Sequence, residues 1–297
     1  MSVDWRRLNA LAWLLASLVL TSPAVPQTLR VGGKEFTEQL LMVEMTSQLL
    51  REKGYVVATR SGRASTGIRL EQETGLVDIY WECTGTSLRI FNNVREKLAP
   101  DEVYRRVKDL DAAKGLVWLS PSKVNNTYAL AMRETDAEAR GISSISDLAA
   151  EVRKGRRHAL ACTTEFFIRP DGLVPLQRQY AFEFGWENVT RMDVDRIYEA
   201  LRTGGVDVGL VFATDGRIAA QGLRVLRDDR ETFPSYLLTP VIRKAALERN
   251  PDVAIHLNAL SDKLDNPTMA RLNALIDIQK KSLGEVASSF LKASGLL

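Results

Sequence analysis

Short apolar runs alternate with amphipathic stretches along almost the whole chain, and the alternation starts afresh in its second half. Residues 29–31 (Leu-Arg-Val) read as a strand that Gly32 and Gly33 break. Thr37 stands where a helix cap is expected, ahead of Leu41, Met45 and Leu49, which share one helical face at i, i+4 and i+8. Gly54 ends that helix, residues 55–58 resume as strand, a short helix lies around 68–73, and residues 77–80 form the next strand. This βαβαβ order predicts a parallel sheet with helices on its faces. A helix over 100–113 and a strand over 116–119 follow.

In the second half, strands are expected at 127–132 and 158–162 around a helix capped at Ser146. Helices are expected at 171–184 and 195–203, and strands at 206–212 and 223–226. Past Pro251 the chain reads as helical in three pieces, 251–264, 267–281 and 284–293, broken by Pro267 and Gly284. No period of 20–50 residues repeats, which excludes a solenoid. Two α/β halves with a helical tail fit a bilobed α/β protein with a cleft between the lobes. Ligands of open α/β sheets sit beyond the carboxyl ends of the strands.

Composition narrows the class. The 297 residues suit two domains, and 45% apolar with 26% charged residues excludes disorder, collagen-like repeats and coiled coil. Forty Lys and Arg against 37 Asp and Glu leave +3 with no basic block, so the clustered footprint of a nucleic-acid-binding protein is missing. Two cysteines, Cys83 and Cys162, and two histidines, His158 and His256, are too scattered for a zinc site, although this count leaves an acidic Mg or Ca site open. No metal and no cofactor are expected.

Residues 1–24 read as a secretory signal peptide. Arg6 and Arg7 precede an apolar run over 11–20, and Ser22 and Ala24 supply small residues at the −3 and −1 positions of a cut after Ala24. The run is shorter than the roughly 20 apolar residues of a spanning helix. No cysteine follows it to carry a lipid. A periplasmic protein beginning near Val25 is expected.

Three strand-to-helix loops, at 32–39, 62–67 and 81–86, are rich in Gly, Ser and Thr, and the first carries Lys34. Free N–H groups at a helix start beside a lysine suit an anion such as a carboxylate. Each loop alone is a weak signal, and three at one sheet edge are stronger.

The same loops resemble a known family. Residues 31–39 (Val-Gly-Gly-Lys-Glu-Phe-Thr-Glu-Gln), 62–66 (Gly-Arg-Ala-Ser-Thr), 78–86 (Asp-Ile-Tyr-Trp-Glu-Cys-Thr-Gly-Thr) and 125–131 (Asn-Asn-Thr-Tyr-Ala-Leu-Ala) carry the likeness. Residues 145–148, 165–173, 214–218 and 233–243 extend it in order over nearly the whole mature chain. The sequence is similar to substrate-binding proteins of osmoprotectant ABC importers, which take glycine betaine, choline, carnitine or proline betaine. The resemblance implies a type II periplasmic-binding-protein fold crossed twice by the chain. Lobe one would hold 27–124 and 236–297, and lobe two 125–235. It implies a monomeric, non-catalytic receptor that hands a quaternary amine to a membrane permease.

Members of that family enclose the trimethylammonium head in a box of tyrosines and hold a ligand carboxylate with a lysine, an arginine and a threonine. Lys34, Thr86 and Arg169 match the carboxylate side, and Tyr128 and Tyr236 match two box tyrosines. Cys83 and Phe212 stand at box positions where the family has tyrosine. Trp81, two residues from Cys83 and on the same side of a strand, is placed to refill the space. Without the family, Arg169 reads as a surface charge pairing Asp171, and Tyr128 and Tyr236 as buried strand aromatics.

A Cys83–Cys162 disulfide would tie the cleft shut, so unpaired thiols are expected. His158 and Cys162 would lie about 13 Å apart at ~3.3 Å per residue, beyond hydrogen-bond reach for a nucleophile and its base. A receptor is therefore expected. Its alternatives are the same fold with a different cationic or zwitterionic solute, and an exported α/β enzyme.

Overall fold

A computed structural model describes residues 28–297, and the expected signal peptide lies outside the described residues. The apolar runs assemble into two five-stranded sheets. In the first, β1 (Leu29–Lys34) lies between β2 (Val57–Arg63) and β3 (Ile79–Cys83) and runs parallel to both. The sheet as a whole is mixed. After β4 (Leu116–Trp118) the chain leaves, and it returns as β10 (Leu238–Arg243), antiparallel between β3 and β4. Pro240 is tolerated in that central strand because β4 has already ended there, and its carbonyl accepts the Leu119 N–H at 3.0 Å.

The second sheet contains β5 (Tyr128–Arg133), β6 (Leu160–Cys162), β7 (Val189–Arg191), β8 (Val208–Phe212) and β9 (Leu223–Leu226), in the order β7-β6-β8-β5-β9. β6 is parallel to β7 and β8, whereas β5 is antiparallel to β8 and β9. The two crossing segments lie side by side. Asn125 and Leu237 form a bridge, and the Tyr236 N–H donates to Asn125 Oδ1 at 2.8 Å. The fold is α/β with two lobes.

Helix Thr37–Glu52 buries Leu41, Met45 and Leu49 as the periodicity predicts. Thr37 is its first residue rather than its cap, because the hydroxyl donates to Asp277 at 2.7 Å. Ser144, not Ser146, caps helix Ile145–Arg153: its Oγ accepts the Asp147 N–H at 3.1 Å, and Asp147 accepts the Ser144 N–H at 3.0 Å. The helix expected over 171–184 is only Leu173–Tyr180. Asp171 is held outside it by Arg169, and Ala181 turns left-handed at φ 53°. Gly172 is required at that start, since a Cβ would fall 1.9 Å from the Phe166 carbonyl oxygen. In the tail, Pro267 opens helix Asn266–Asp277 after an Asp265 cap, and Gly284 lies inside helix Leu283–Ala293. Neither is a break. Among the described residues no helix is long and apolar enough to cross a membrane.

Candidate functional site

Lys34 ends β1, and its ammonium donates to Glu82 Oε1 at 2.7 Å, with side chains 6% and 0% exposed. Glu82 also accepts the Cys83 N–H at 2.7 Å and the Tyr80 hydroxyl at 2.5 Å. Burial alone would lower the Lys34 pKa, but the neighbouring Glu82 carboxylate, helped by Cys83 and Glu165, outweighs it and raises the pKa above its ordinary value. The Cys83 thiol is pushed up to about 12, chiefly by burial and against the pull of Lys34. It is a small neutral group at neutral pH. Cys162 is pushed up to about 11 by its own burial, and both cysteines are unbonded. Arg140 Nη1 lies 3.2 Å from His158 Nδ1, which occupies that ring nitrogen.

The second lobe supplies the arginine. Thr163 caps helix Thr164–Ile168 by accepting the Phe166 N–H at 3.1 Å, and Arg169 follows directly. Its Nε and Nη2 fork Asp171 at 2.7 and 2.8 Å, and Nη1 donates to Glu165 at 2.9 Å. The Tyr236 hydroxyl donates to the same Asp171 at 2.6 Å. This corrects the reading of Arg169 as a surface charge, since Arg169 and Asp171 are each only 4% exposed. Burial would raise the Glu165 pKa, but Lys34 and then Arg169 hold it below its ordinary value. A guanidinium has five N–H donors, so three bonds leave two for a further acceptor.

Rings close the junction. Tyr128 opens β5, Phe212 ends β8, and the two are register partners. The Tyr128 centroid lies 5.1 Å from Phe166, 5.4 Å from Phe212, 5.7 Å from Tyr236 and 5.9 Å from Phe233. Phe36, from the other lobe, stacks on Phe212 at 5.6 Å and 10°. The Arg169 guanidinium carbon lies 5.3 Å from the Tyr128 centroid. Tyr128, Arg169, Phe212 and Tyr236 are thus brought together, and Lys34 and Cys83 meet through Glu82. Thr86 is buried in the turn Thr84–Thr86, which packs on Tyr236 so closely that a Cβ on Gly85 would lie 2.7 Å from the ring. Trp81 is buried in the same apolar cluster as Cys83, Tyr128 and Tyr236. Its indole N–H donates to Thr46 at 2.9 Å on helix Thr37–Glu52.

Phe36, Phe166 and Phe233 were not among the expected site residues, although all three lie in the segments that carry the family likeness. Glu82 and Glu165 are likewise unforeseen partners of the two cations, whereas the Arg169–Asp171 pair was expected, though at the surface. The arrangement offers ring faces to a cation that cannot donate hydrogen bonds, and spare donors on Lys34 and Arg169 to an anion.

A family model described as the substrate-binding domain of ABC-type glycine betaine transport systems matches residues 27–293. A glycine-betaine-binding protein of Pseudomonas aeruginosa is 44% identical over 298 residues, covering 98% of this chain and 96% of that protein. A Helicobacter pylori protein named an ergothioneine transport permease and binding protein is 31% identical over 290 residues, covering 95% of this chain and 51% of that protein. The crystal structure of a glycine betaine/carnitine/choline ABC transporter superposes with a TM-score of 0.74 at 25% identity, covering 90% of this chain and 99% of that one.

Proposed function

The chain belongs to the family of substrate-binding domains of ABC-type glycine betaine transport systems, and from that membership we propose that it captures a quaternary ammonium osmolyte of the glycine betaine or choline type. The observation that carries the proposal is the ring cluster around Tyr128 beside two buried cations with donors to spare. Tyr128, Tyr236 and Phe212 offer their faces to the trimethylammonium head, each favourable ring contributing ~0.5–2 kcal/mol once desolvated. Lys34, Thr86 and Arg169 take the carboxylate where the ligand has one, and Cys83 lines the remaining wall. The lobes, 27–124 with 236–297 and 125–235, close over the solute, because a bound solute stabilises the state for which its affinity is greater. The receptor is exported by residues 1–24, works in the periplasm, and passes its solute unaltered to the permease.

A second reading keeps the site and enlarges the ligand. Cys83 at a position of family tyrosine, and a relative named for ergothioneine, support a bulkier betaine. Titration calorimetry with glycine betaine, choline, carnitine and ergothioneine separates the two. Saturable heat with at least one quaternary ammonium is expected, and none with any of them overturns the ligand class. Scattering with and without the bound solute should show a smaller radius of gyration on binding. An intact mass retaining residues 1–24 in the native protein would overturn export.

A further inference from the structure

Glu38 is a buried carboxyl at the junction of both lobes and the crossing segment, only 3% exposed. It lies on helix Thr37–Glu52, two residues after Phe36. Oε1 accepts the Asn126 Nδ2–H at 2.8 Å, and Oε2 contacts the Thr214 hydroxyl at 2.5 Å. Asn126 is two residues before Tyr128, and Thr214 is two after Phe212. The two oxygens therefore fix the approaches to the two register-paired rings of the second lobe. Asn273, on helix Asn266–Asp277, donates to the Thr214 carbonyl at 3.0 Å.

We propose that Glu38 is a positioning residue that clamps the lobes around the aromatic cluster, and that it does so as the neutral acid. The proposal rests on the two-lobed receptor reading above.

An ionised carboxylate here has no counter-charge. Among the described residues, none of the ion pairs includes Glu38; Lys34 is engaged by Glu82, and Arg217 by Asp215 and Asp195. The charged and titratable groups facing it are Asp215 next to Thr214 and the Cys83 thiol from β3. A buried carboxylate without a cation is costly, and such groups bind a proton instead. Asn126 turns its Nδ2–H to Glu38 Oε1, and the hydrogen of the neutral acid can go to Thr214 Oγ1, 2.5 Å from Oε2. Burial raises the Glu38 pKa, and the bonds from Thr214 and Asn126 only partly offset this.

A carboxyl raised in the folded state gives stability that is complete below its unfolded pKa and is lost as pH rises through the folded one. Thermal unfolding of the ligand-free protein at pH 5 to 8, for wild type, Glu38→Gln and Glu38→Ala, reads this without any choice of solute. Glutamine mimics the neutral acid. We expect wild-type Tm to fall relative to Glu38→Gln as pH rises, by about 3–6 °C per tenfold loss of the folding constant. At pH 8 Glu38→Gln should equal or exceed wild type, with Glu38→Ala below both. Glu38→Gln below wild type by the same margin at every pH overturns the proposal. Should Glu38→Gln not fold, infrared spectra of wild type carrying carboxyl-labelled glutamate decide at neutral pH: a protonated-acid carbonyl band is expected, and its absence overturns the proposal. Failure of every betaine to bind would sink the ligand assignment and leave these readings intact.

Discussion

Arg69 and Arg169 are both buried, both fork an aspartate and both lie against an aromatic ring, yet they are set in different surroundings. Arg69 donates to Asp111 at 2.8 and 2.6 Å and to Glu73 at 2.6 Å, with its guanidinium carbon 4.9 Å from the Phe91 centroid. Asp111 also accepts from Ser87 at 2.8 Å, Asn92 at 3.0 Å and the Trp118 indole at 2.9 Å. All of these partners lie between residues 69 and 118, inside one lobe, and the network closes on itself. Arg169 makes the same number of bonds, but its aspartate accepts only three against the five of Asp111, and the third comes from Tyr236 beside the crossing segments. A saturated network rigidifies, whereas an unsaturated one at a junction is ready to rearrange around a ligand.

The sharpest way to break the comparison is Asp111→Ala. It strands a buried guanidinium, which costs about 3–5 kcal/mol, and should lower Tm on the order of 10 °C. Affinity measured well below that Tm should stay as in wild type. Burial would raise the Asp111 carboxyl, but Arg69 and the other donors hold it well below the usual carboxylate range. A depressed carboxyl contributes stability above its unfolded pKa and loses it as pH falls towards the folded one. The Tm gap between wild type and Asp111→Ala should hold from pH 7 to about pH 5 and narrow only in stronger acid. A gap that already closes between pH 7 and 6 would contradict the saturated pair.

On the other side, Tyr128→Ala and Tyr236→Ala should abolish solute binding in titration calorimetry, since Tyr128 touches four other rings and Tyr236 also holds Asp171. Arg169→Met is the next test. Loss of hydrogen bonds to a charged group costs roughly 1.5–3 kcal/mol, or about 10- to 150-fold in affinity. Glycine betaine should suffer that loss, and choline, which has no carboxylate, should be nearly spared. Equal weakening of both would assign Arg169 a structural role like that of Arg69.

The strands and helices that alternate locally were legible because apolar period and Gly punctuation are local signals. Leu41, Met45 and Leu49 fall where the period puts them, and residues 223–226 form β9 as expected. What failed depended on distant partners. Thr37 bonds Asp277, 240 residues away, instead of capping its helix. β10 is stabilised by two neighbours from the first half of the chain, and its Thr239 and Pro240 blur the apolar pattern. The site divides in the same way. Lys34, Tyr128, Arg169 and Tyr236 were named through family motifs, while Phe36, Phe166 and Phe233 look like ordinary loop and core aromatics until the lobes meet. For Trp81, alternation gave a side of the strand but not the partner of its indole N–H, which is Thr46.

The smallest expected effect is the most diagnostic. Cys83 is 6% exposed and buried in the same apolar cluster as Tyr128 and Tyr236, with its N–H held by Glu82. Cys83→Tyr adds a ring to that wall. One additional well-placed ring is worth ~1–2 kcal/mol to a trimethylammonium head, roughly five- to thirty-fold in affinity. The ring takes volume from the same wall, so gain and loss fall on different ligands. Glycine betaine and choline share the head and should tighten together, since neither extends far beyond it. A bulkier betaine that uses the space beside Cys83 should weaken instead, because added volume against a close-packed wall forces strain. Titration of the variant with glycine betaine, choline and ergothioneine therefore separates wall from bystander. If all three affinities stay as in wild type, Cys83 does not line the site, and the departure from the family's tyrosine has no bearing on the ligand.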